Sequence, residues 1–429
     1  MREYYLDTLD NGLRLLTVEM PHLHSIEMVC YVGIGSRYET PETAGISHFL
    51  EHMLFRGSRD YPTSQILEAA FEAIGGMANA ATDSESTCFH SRIHPAHLQE
   101  GAALFASLLQ QPLLNGLEIE RRIILEEALE DLNQAGRLIN PDSLTARLLW
   151  PEHPLSLPTV GSQASISGLT LADLQQHHHL YYGPSNTVIA LAGRVTRSQA
   201  LGTLGESFAA WQGQPAPPPC PAPDTVAAGP TTSWVKDSNS QVNLQLSFRL
   251  PGWRDSRNCA LRLLRRLLSG GGTARLMRRL RDELGLTYHV EANLGLHHDC
   301  GVLSVDLAVV PESLPQALAE VLDIFSDLCA RAPAEEELQR TVRSFLYDLE
   351  FSQDQPDGRA ARFAWGELVG YPLTLEGERQ AILALKGEDL QTVAVELLRP
   401  EALHLVVVGP FRARDRKTCE QLLAAYRQA

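Results

Sequence analysis

No stretch of this 429-residue sequence stays apolar over the roughly 18 residues that a membrane-crossing helix needs. The opening run Met1-Arg2-Glu3-Tyr4-Tyr5-Leu6-Asp7 lacks an apolar leader core and reads directly into a strand, so the expectation is a cytoplasmic protein without a membrane partner. Cys-x-x-Cys is missing too. The seven cysteines (Cys30, Cys88, Cys220, Cys259, Cys300, Cys329 and Cys419) are scattered and odd in number, which argues against both a disulfide framework and a thiolate metal site. Positive charge is short: 36 Lys and Arg against 52 Asp and Glu leave a net charge of −16, so nucleic acid is a poor partner. The acidic balance could favour cationic peptides, although a solvated acidic surface is the simpler reading. With 44% hydrophobic and 21% charged residues the chain is that of a globular protein, and its length allows two or three domains of about 150 residues.

A proline-rich segment, residues 212–231, divides the chain almost evenly: Pro215, Pro217, Pro218, Pro219, Pro221, Pro223 and Pro230 preclude a helix or an interior strand and make a semi-rigid spacer. The expected domains are residues 1–211 and 232–429. A repeat supports a duplication. Asp173-Leu174-Gln175, Pro184 and Gly193 recur 216 positions later as Asp389-Leu390-Gln391, Pro400 and Gly409, each copy being a helix that ends at proline and leads into an apolar strand. Apolar or alternating runs predict strands at 12–19, 26–34, 241–249 and 301–310. Helices are expected at 43–55, 64–74, 95–110, 118–133, 257–268 and 274–284. Hairpin-like strands grouped with long helices point to an α+β fold of two duplicated domains, each a mainly antiparallel sheet covered by helices.

The segment that carries chemistry is Gly45-Ile46-Ser47-His48-Phe49-Leu50-Glu51-His52-Met53. Four positions apart on a helix, His48 and His52 project from one face, so that two imidazoles can reach one metal ion. Glu51 borders that face, close enough to hold a water without ligating. His-x-x-Glu-His is the inverted zinc-peptidase signature, and two core histidines beside a chance glutamate is the bland alternative. A hydrolytic zinc site needs a third ligand and an open position. Glu120 and Glu127, seven apart on the helix at 118–133, share a face, while Glu126 is rotated about 100° from Glu127. Ile123 and Ile124 between them suggest a partly buried face whose acids need a partner. From these residues alone, Glu127 as ligand supported by Glu120 and a solvated acidic helix both stand.

The chain resembles the pitrilysin family of zinc peptidases, which includes the mitochondrial processing peptidases, over nearly its whole length. The similarity rests on His48 to His52 followed by Glu127, and on Asn11-Gly12-Leu13, Gly35-Ser36-Arg37-Tyr38-Glu39 and Phe55-Arg56-Gly57-Ser58. Further matches are Gly75-Gly76 through Asn79-Ala80 to Thr82, Glu120-Arg121, Tyr182-x-Pro184-x-Asn186, and Arg281-Asp282-Glu283-Leu284-Gly285-Leu286-Thr287-Tyr288. The resemblance implies His48, His52 and Glu127 as ligands of one zinc ion per chain, Glu51 as general base and Glu120 as supporting acid. It also implies Arg281 and Tyr288 as contacts to the substrate near its scissile carbonyl, and halves that close like a clam shell around unfolded peptides. A chain of this size then needs a second one, a homodimer partner or a related subunit. Gly285 ending a helix and Tyr288 starting a strand would bring Arg281 and Tyr288 to one rim. Substrate backbone is expected to add as a strand to a sheet edge near Asn79 and Ala80, so that recognition is mainly of extended conformation.

Other signals are weaker. The loop Ser269-Gly270-Gly271-Gly272-Thr273 lacks the Gly-Lys-Ser/Thr ending of a phosphate loop. His177-His178-His179 cannot share one metal and reads as solvated. At the repeat offset, the second half has no ligand near Leu264, so it is expected to be a degenerate partner. The expected function is zinc-dependent endopeptidase acting on unfolded, precursor or leader peptides; the competing expectation is a non-catalytic peptide-binding or scaffold subunit.

Overall fold

In a computed structural model, residues 2–223 and 229–426 are described; part of the proline-rich segment, residues 224–228, lies outside them. The strands are β1 (Tyr5–Thr8), β2 (Arg14–Glu19), β3 (Ile26–Val32), β4 (Asn79–Thr82), β5 (Thr87–Ile93), β6 (Thr187–Gly193), β7 (Thr231–Lys236), β8 (Val242–Pro251), β9 (Val290–Leu296), β10 (Cys300–Val309) and β11 (Leu403–Gly409). The helices begin with α1 (Ile46–Leu54), α2 (Ser64–Ala73), α3 (Leu98–Gln110), α4 (Leu117–Glu130) and α5 (Pro141–Leu149). They continue with α6 (Gln163–Gly168), α7 (Leu171–Tyr181), α8 (Arg197–Phe208), α9 (Asn258–Ser269) and α10 (Leu314–Ala330). The last are α11 (Glu335–Phe351), α12 (Pro356–Leu368), α13 (Leu375–Ala384), α14 (Gly387–Leu397) and α15 (Ala413–Ala425). Among the described residues, no helix is long and apolar enough to cross a membrane.

The fold is α+β, with one sheet in each of two compact units. The first sheet runs β1-β2-β6-β3-β5-β4 and the second β7-β11-β8-β10-β9. Each is antiparallel except for one pair, β2 with β6 and β7 with β11. The duplication is visible element by element: β6 and β11, α7 and α14, and α3 and α10 start 216 positions apart (Thr187 to Leu403, Leu171 to Gly387, Leu98 to Leu314). Local chemistry explains the shared starts. Asp173 in α7 and Asp389 in α14 each turn back to accept from the backbone N–H of the cap residue, Thr170 or Lys386, at 2.8 Å, satisfying a donor that the start of the helix leaves free.

The units are not contiguous in sequence. The first comprises residues 1–130, 157–220 and 350–375, and the second residues 131–156, 221–349 and 376–429. The expected segments 1–211 and 232–429 do not contain this exchange, in which each unit takes a helix from the other half of the chain. Within the first unit α12 packs on β2, β3 and β6, with the Phe363 ring 4.5 Å from that of Tyr4 and Arg14 Nη1 donating to Glu367 O at 2.9 Å. Within the second, α5 packs on β8 and β11: Leu144 joins Val406 and Val408, and Gln245 Nε2 donates to Asp142 Oδ1 at 2.6 Å. Every residue of β6 and of β11 is buried, because helices cover both faces of these strands; that is why Thr187–Gly193 is a continuous apolar run instead of an alternating one.

Candidate active site and metal centre

Helix α1 turns one face into the core of the first unit, through Phe49, Leu50, Met53 and Leu54, and the other towards α4 and β4. His48 and Glu51 on the second face are also buried, at 9% and 8% exposure. The two imidazoles stand 4.6 Å apart, edge to face. Glu127 reaches them from α4: its Oε1 lies 3.6 Å from His48 Nε2 and its Oε2 3.8 Å from His52 Nε2. These separations are too long for hydrogen bonds. They are close to the roughly 3.3 Å expected between ligand atoms around one tetrahedral ion with bonds of about 2.0–2.1 Å. Among the described residues, this trio is the one cluster of His, Cys, Asp and Glu whose ligand atoms all fall within 4.8 Å of one another.

The protonation states suit a metal. Burial, followed by the neighbouring His52, holds His48 down to about 4, so its imidazole is neutral and can offer a lone pair. His52 Nδ1 lies 3.1 Å from Glu120 Oε2. With the proton on Nδ1 donated to that carboxylate, Nε2 faces Glu127 with a free lone pair. Glu120 is itself buried, and Arg56 Nη1 at 3.4 Å balances its charge. The donor set of two imidazole nitrogens and a carboxylate, with an acid behind one imidazole, fits zinc.

Glu51 points to the same space. Thr82 Oγ1, at the end of β4, donates to Glu51 Oε2 at 2.6 Å. Burial raises the Glu51 carboxyl above its ordinary value, and the Thr82 hydrogen bond opposes that rise. Thr82 closes the stretch from Gly75 that resembles the pitrilysin family, but its residue type alone assigns it no role. The available signal was the period of two along β4, which puts Thr82 on the same face as Ala80. Asn79 and Ala80 lie on β4, an edge strand bonded on one side to β5. Beside it is a cavity of about 400 Å³ lined by Phe55, Leu67, Phe71, Met77 and Ala80, with Glu68 and Glu72 among its walls.

Arg281 and Tyr288 belong to the second unit. Arg281 lies in the last turn of a π-helical stretch, Met277–Glu283, and Gly285 follows it with φ +60°. Its guanidinium lies 5.1 Å from the centre of the Tyr288 ring, and Tyr288 is 83% exposed. Tyr288 sits in the connection before β9 and does not open the strand, which starts at Val290. Two other expectations need correction. Ile124 is buried but Ile123 is 47% exposed, so the α4 face between Glu120 and Glu127 is covered on one side only. Of the three adjacent histidines only His179 is exposed. His177 is buried with Nε2 3.1 Å from Ser47 Oγ, because α7 packs against α1, and His178 Nε2 donates to Leu109 O on α3 at 2.8 Å.

Known proteins resemble this chain over most of its length. Residues 14–162 match the model of the insulinase family, peptidase family M16, and residues 168–345 match the peptidase M16 inactive domain. An uncharacterized zinc protease of Mycobacterium tuberculosis is 30% identical over 427 residues, covering 97% of this chain and 95% of its own. The chain belongs to peptidase family M16. Another M16 relative, the uncharacterized zinc protease YmxG of Bacillus subtilis, is 25% identical over 406 residues, 94% of this chain and 97% of that one. Among solved structures, a protease from Helicobacter pylori superposes with a TM-score of 0.88 at 23% identity, over 95% of this chain and 99% of that one. A chain of complex III from Candida albicans does so with a TM-score of 0.81 at 15% identity, over 97% and 99%. At those identities the structures speak for the fold alone. The pitrilysin-type resemblance read from the sequence is thus a family membership, and the M16 relatives carry the name of zinc proteases.

Proposed function

We infer that this M16 protein is a zinc-dependent endopeptidase that hydrolyses unfolded, precursor or leader peptides. The observation that carries this reading is the convergence of His48, His52 and Glu127 beside a Glu51 whose carboxylate is held by Thr82. When bound, zinc supplies Lewis acidity, which polarises a carbonyl and lowers the pKa of water towards about 7. Every other step falls to the chain. His48, His52 and Glu127 hold the ion, and Glu120 fixes the tautomer of His52. A peptide adds to the open edge of β4 at Asn79 and Ala80 in extended form, its backbone satisfying strand donors and acceptors. Glu51, raised by burial, takes a proton from the attacking water and returns it to the leaving amine. Arg281 and Tyr288 contact the substrate near its scissile carbonyl, where a phenol hydroxyl or guanidinium can stabilise developing negative charge. A second chain, either another copy or a related subunit, completes the peptide chamber, and the compartment is the cytoplasm.

The competing reading is a non-catalytic subunit that binds or scaffolds without cutting. The intact Glu51, seated beside the candidate ligands, weighs against it. Glu51→Gln decides between the two: the variant should keep its zinc while turnover of a peptide library, followed by mass spectrometry, falls by roughly 100-fold or more. Near-normal turnover in that variant would remove Glu51 from the mechanism, and absence of cleavage by the wild-type protein would favour the scaffold.

A further inference from the structure

The two candidate histidine ligands are held by different means. His52 lies in the last turn of α1, with its Nδ1 tied to Glu120. His48 lies in the first turn, and its Nδ1 is buried without a hydrogen-bond partner. Among the described residues no hydrogen bond to Nδ1 aims the His48 ring in the way Glu120 aims that of His52, so its direction depends on the backbone of that first turn.

That turn has an unusual start. Serine, threonine, aspartate or asparagine ordinarily caps a helix by accepting from the free backbone N–H groups. Here the cap position is Gly45, with φ +87°, and it makes no side-chain cap. No larger residue fits: a Cβ on Gly45 would lie 2.6 Å from Val160 O and 2.7 Å from Gly161 Cα, on top of a backbone conformation that favours glycine. The capping group comes from six residues upstream instead. Glu39, 3% exposed, accepts from Gly45 N through Oε2 at 2.7 Å and from Ser47 N through Oε1 at 2.9 Å. One carboxylate thus takes two backbone donors at the positive end of the helix, and Ser47 immediately precedes His48. The Ser47 hydroxyl is in turn held at 3.1 Å by His177 Nε2, which ties the same turn to α7.

We propose that Glu39 is a positioning residue for the metal centre: by clamping the backbone of the first turn of α1 it sets the direction of His48, as Glu120 sets His52 through its imidazole. The proposal rests on the metal reading of His48, His52 and Glu127. Replacing the carboxylate with an amide turns one acceptor into a donor that faces a backbone N–H. The first turn should then loosen, and His48 should be the ligand that is lost or displaced.

The test uses full-length protein at pH 8, above the value of about 7 to which burial pushes Glu39. Zinc affinity is measured by competition with a chromophoric chelator, and ligand geometry from the visible absorption of the cobalt(II)-loaded protein. Wild type, Glu39→Gln, Glu39→Ala and Leu204→Ala are compared, the last as a control that removes core packing on α8. Glu39→Gln should weaken zinc binding by about 10- to 100-fold, the usual cost of losing a group that orients a ligand, and should alter the cobalt spectrum. Leu204→Ala should lower Tm and leave both unchanged. If Glu39→Gln and Glu39→Ala bind zinc with wild-type affinity and give the wild-type cobalt spectrum, the positioning role is wrong. A Leu204→Ala variant that loses zinc affinity as steeply for the same drop in Tm would reduce Glu39 to a general stabiliser and overturn the proposal. Failure of the wild type itself to bind zinc would instead bring down the metal reading, and this one with it.

Discussion

Helices α1 and α9 answer each other in the two units, and the contrast between them separates what the fold requires from what the chemistry requires. Each buries the same spacing of apolar side chains: Ile46, Phe49, Leu50, Met53 and Leu54 in one, Ala260, Leu263, Leu264, Leu267 and Leu268 in the other. With those faces aligned, His48, Glu51 and His52 correspond to Arg262, Arg265 and Arg266. The counterpart of His48 is therefore Arg262, two positions before Leu264, because the second unit is two residues shorter between its third-strand equivalent and this helix. In place of candidate ligands the second unit has cations satisfied by its own acceptors. Arg262 pairs with the buried Glu378, Arg266 with Ser344 and Asp348, and Arg265 reaches Ala292 O at 3.5 Å. One face of the helix stays constant because the sheet demands it, whereas the opposite face can be rewritten without loss of the fold.

If that division is right, substitutions on the variable face of α1 should remove chemistry and spare the fold. The largest effect is expected from His48→Ala combined with His52→Ala, which should abolish zinc binding and peptidase activity, read by elemental analysis and by rescue with added zinc. Full zinc occupancy in this double variant would sink the ligand assignment. Next comes Glu127→Gln, which should weaken zinc binding directly. Glu126→Gln, one position away but exposed, should be almost silent. The opposite ranking would mean that α4 presents a different face. Glu120→Gln should retain part of the zinc and lose about 10- to 100-fold in activity, since it acts through His52. The smallest effect on catalysis, near zero, is expected on the α9 side. Arg262→Ala leaves the Glu378 carboxylate without its guanidinium, so unfolding free energy in urea should fall by about 1–3 kcal/mol, with zinc content and the peptidase rate per folded molecule unchanged. Loss of zinc there would show that the two faces are not independent.

How legible this was varied with how local the cause is. The His-x-x-Glu-His segment, the helix that holds it and the acids on α4 could be read because period and spacing are written in consecutive residues. The repeat was legible for the same reason, through Pro184 and Pro400 and the apolar strands that follow them. The Glu39 clamp on Gly45 and Ser47 was not, since Gly45 signals a helix start but does not say which acid caps it. His177 looked solvated because adjacent polar residues usually are, yet α7 packs against α1 and covers it. Ile123 looked half-buried, and only the packing on α4 shows that Ile124 takes that place. The helix exchange left a single trace: β6 and β11 are too uniformly apolar to have one face open, but nothing in α5 or α12 says which sheet each will cover.

That exchange also has a consequence for how the protein is made. The first sheet receives α12, within residues 350–375, long after residue 220 has left the ribosome. At the usual rate of about 5–20 residues per second, the apolar surface of β2, β3 and β6 waits on the order of 10 s for its cover during synthesis. A nascent chain with such an interval is a natural client for a holding chaperone. Residues 1–220 expressed alone should accordingly be recovered as aggregates or bound to one, although they contain every candidate metal ligand.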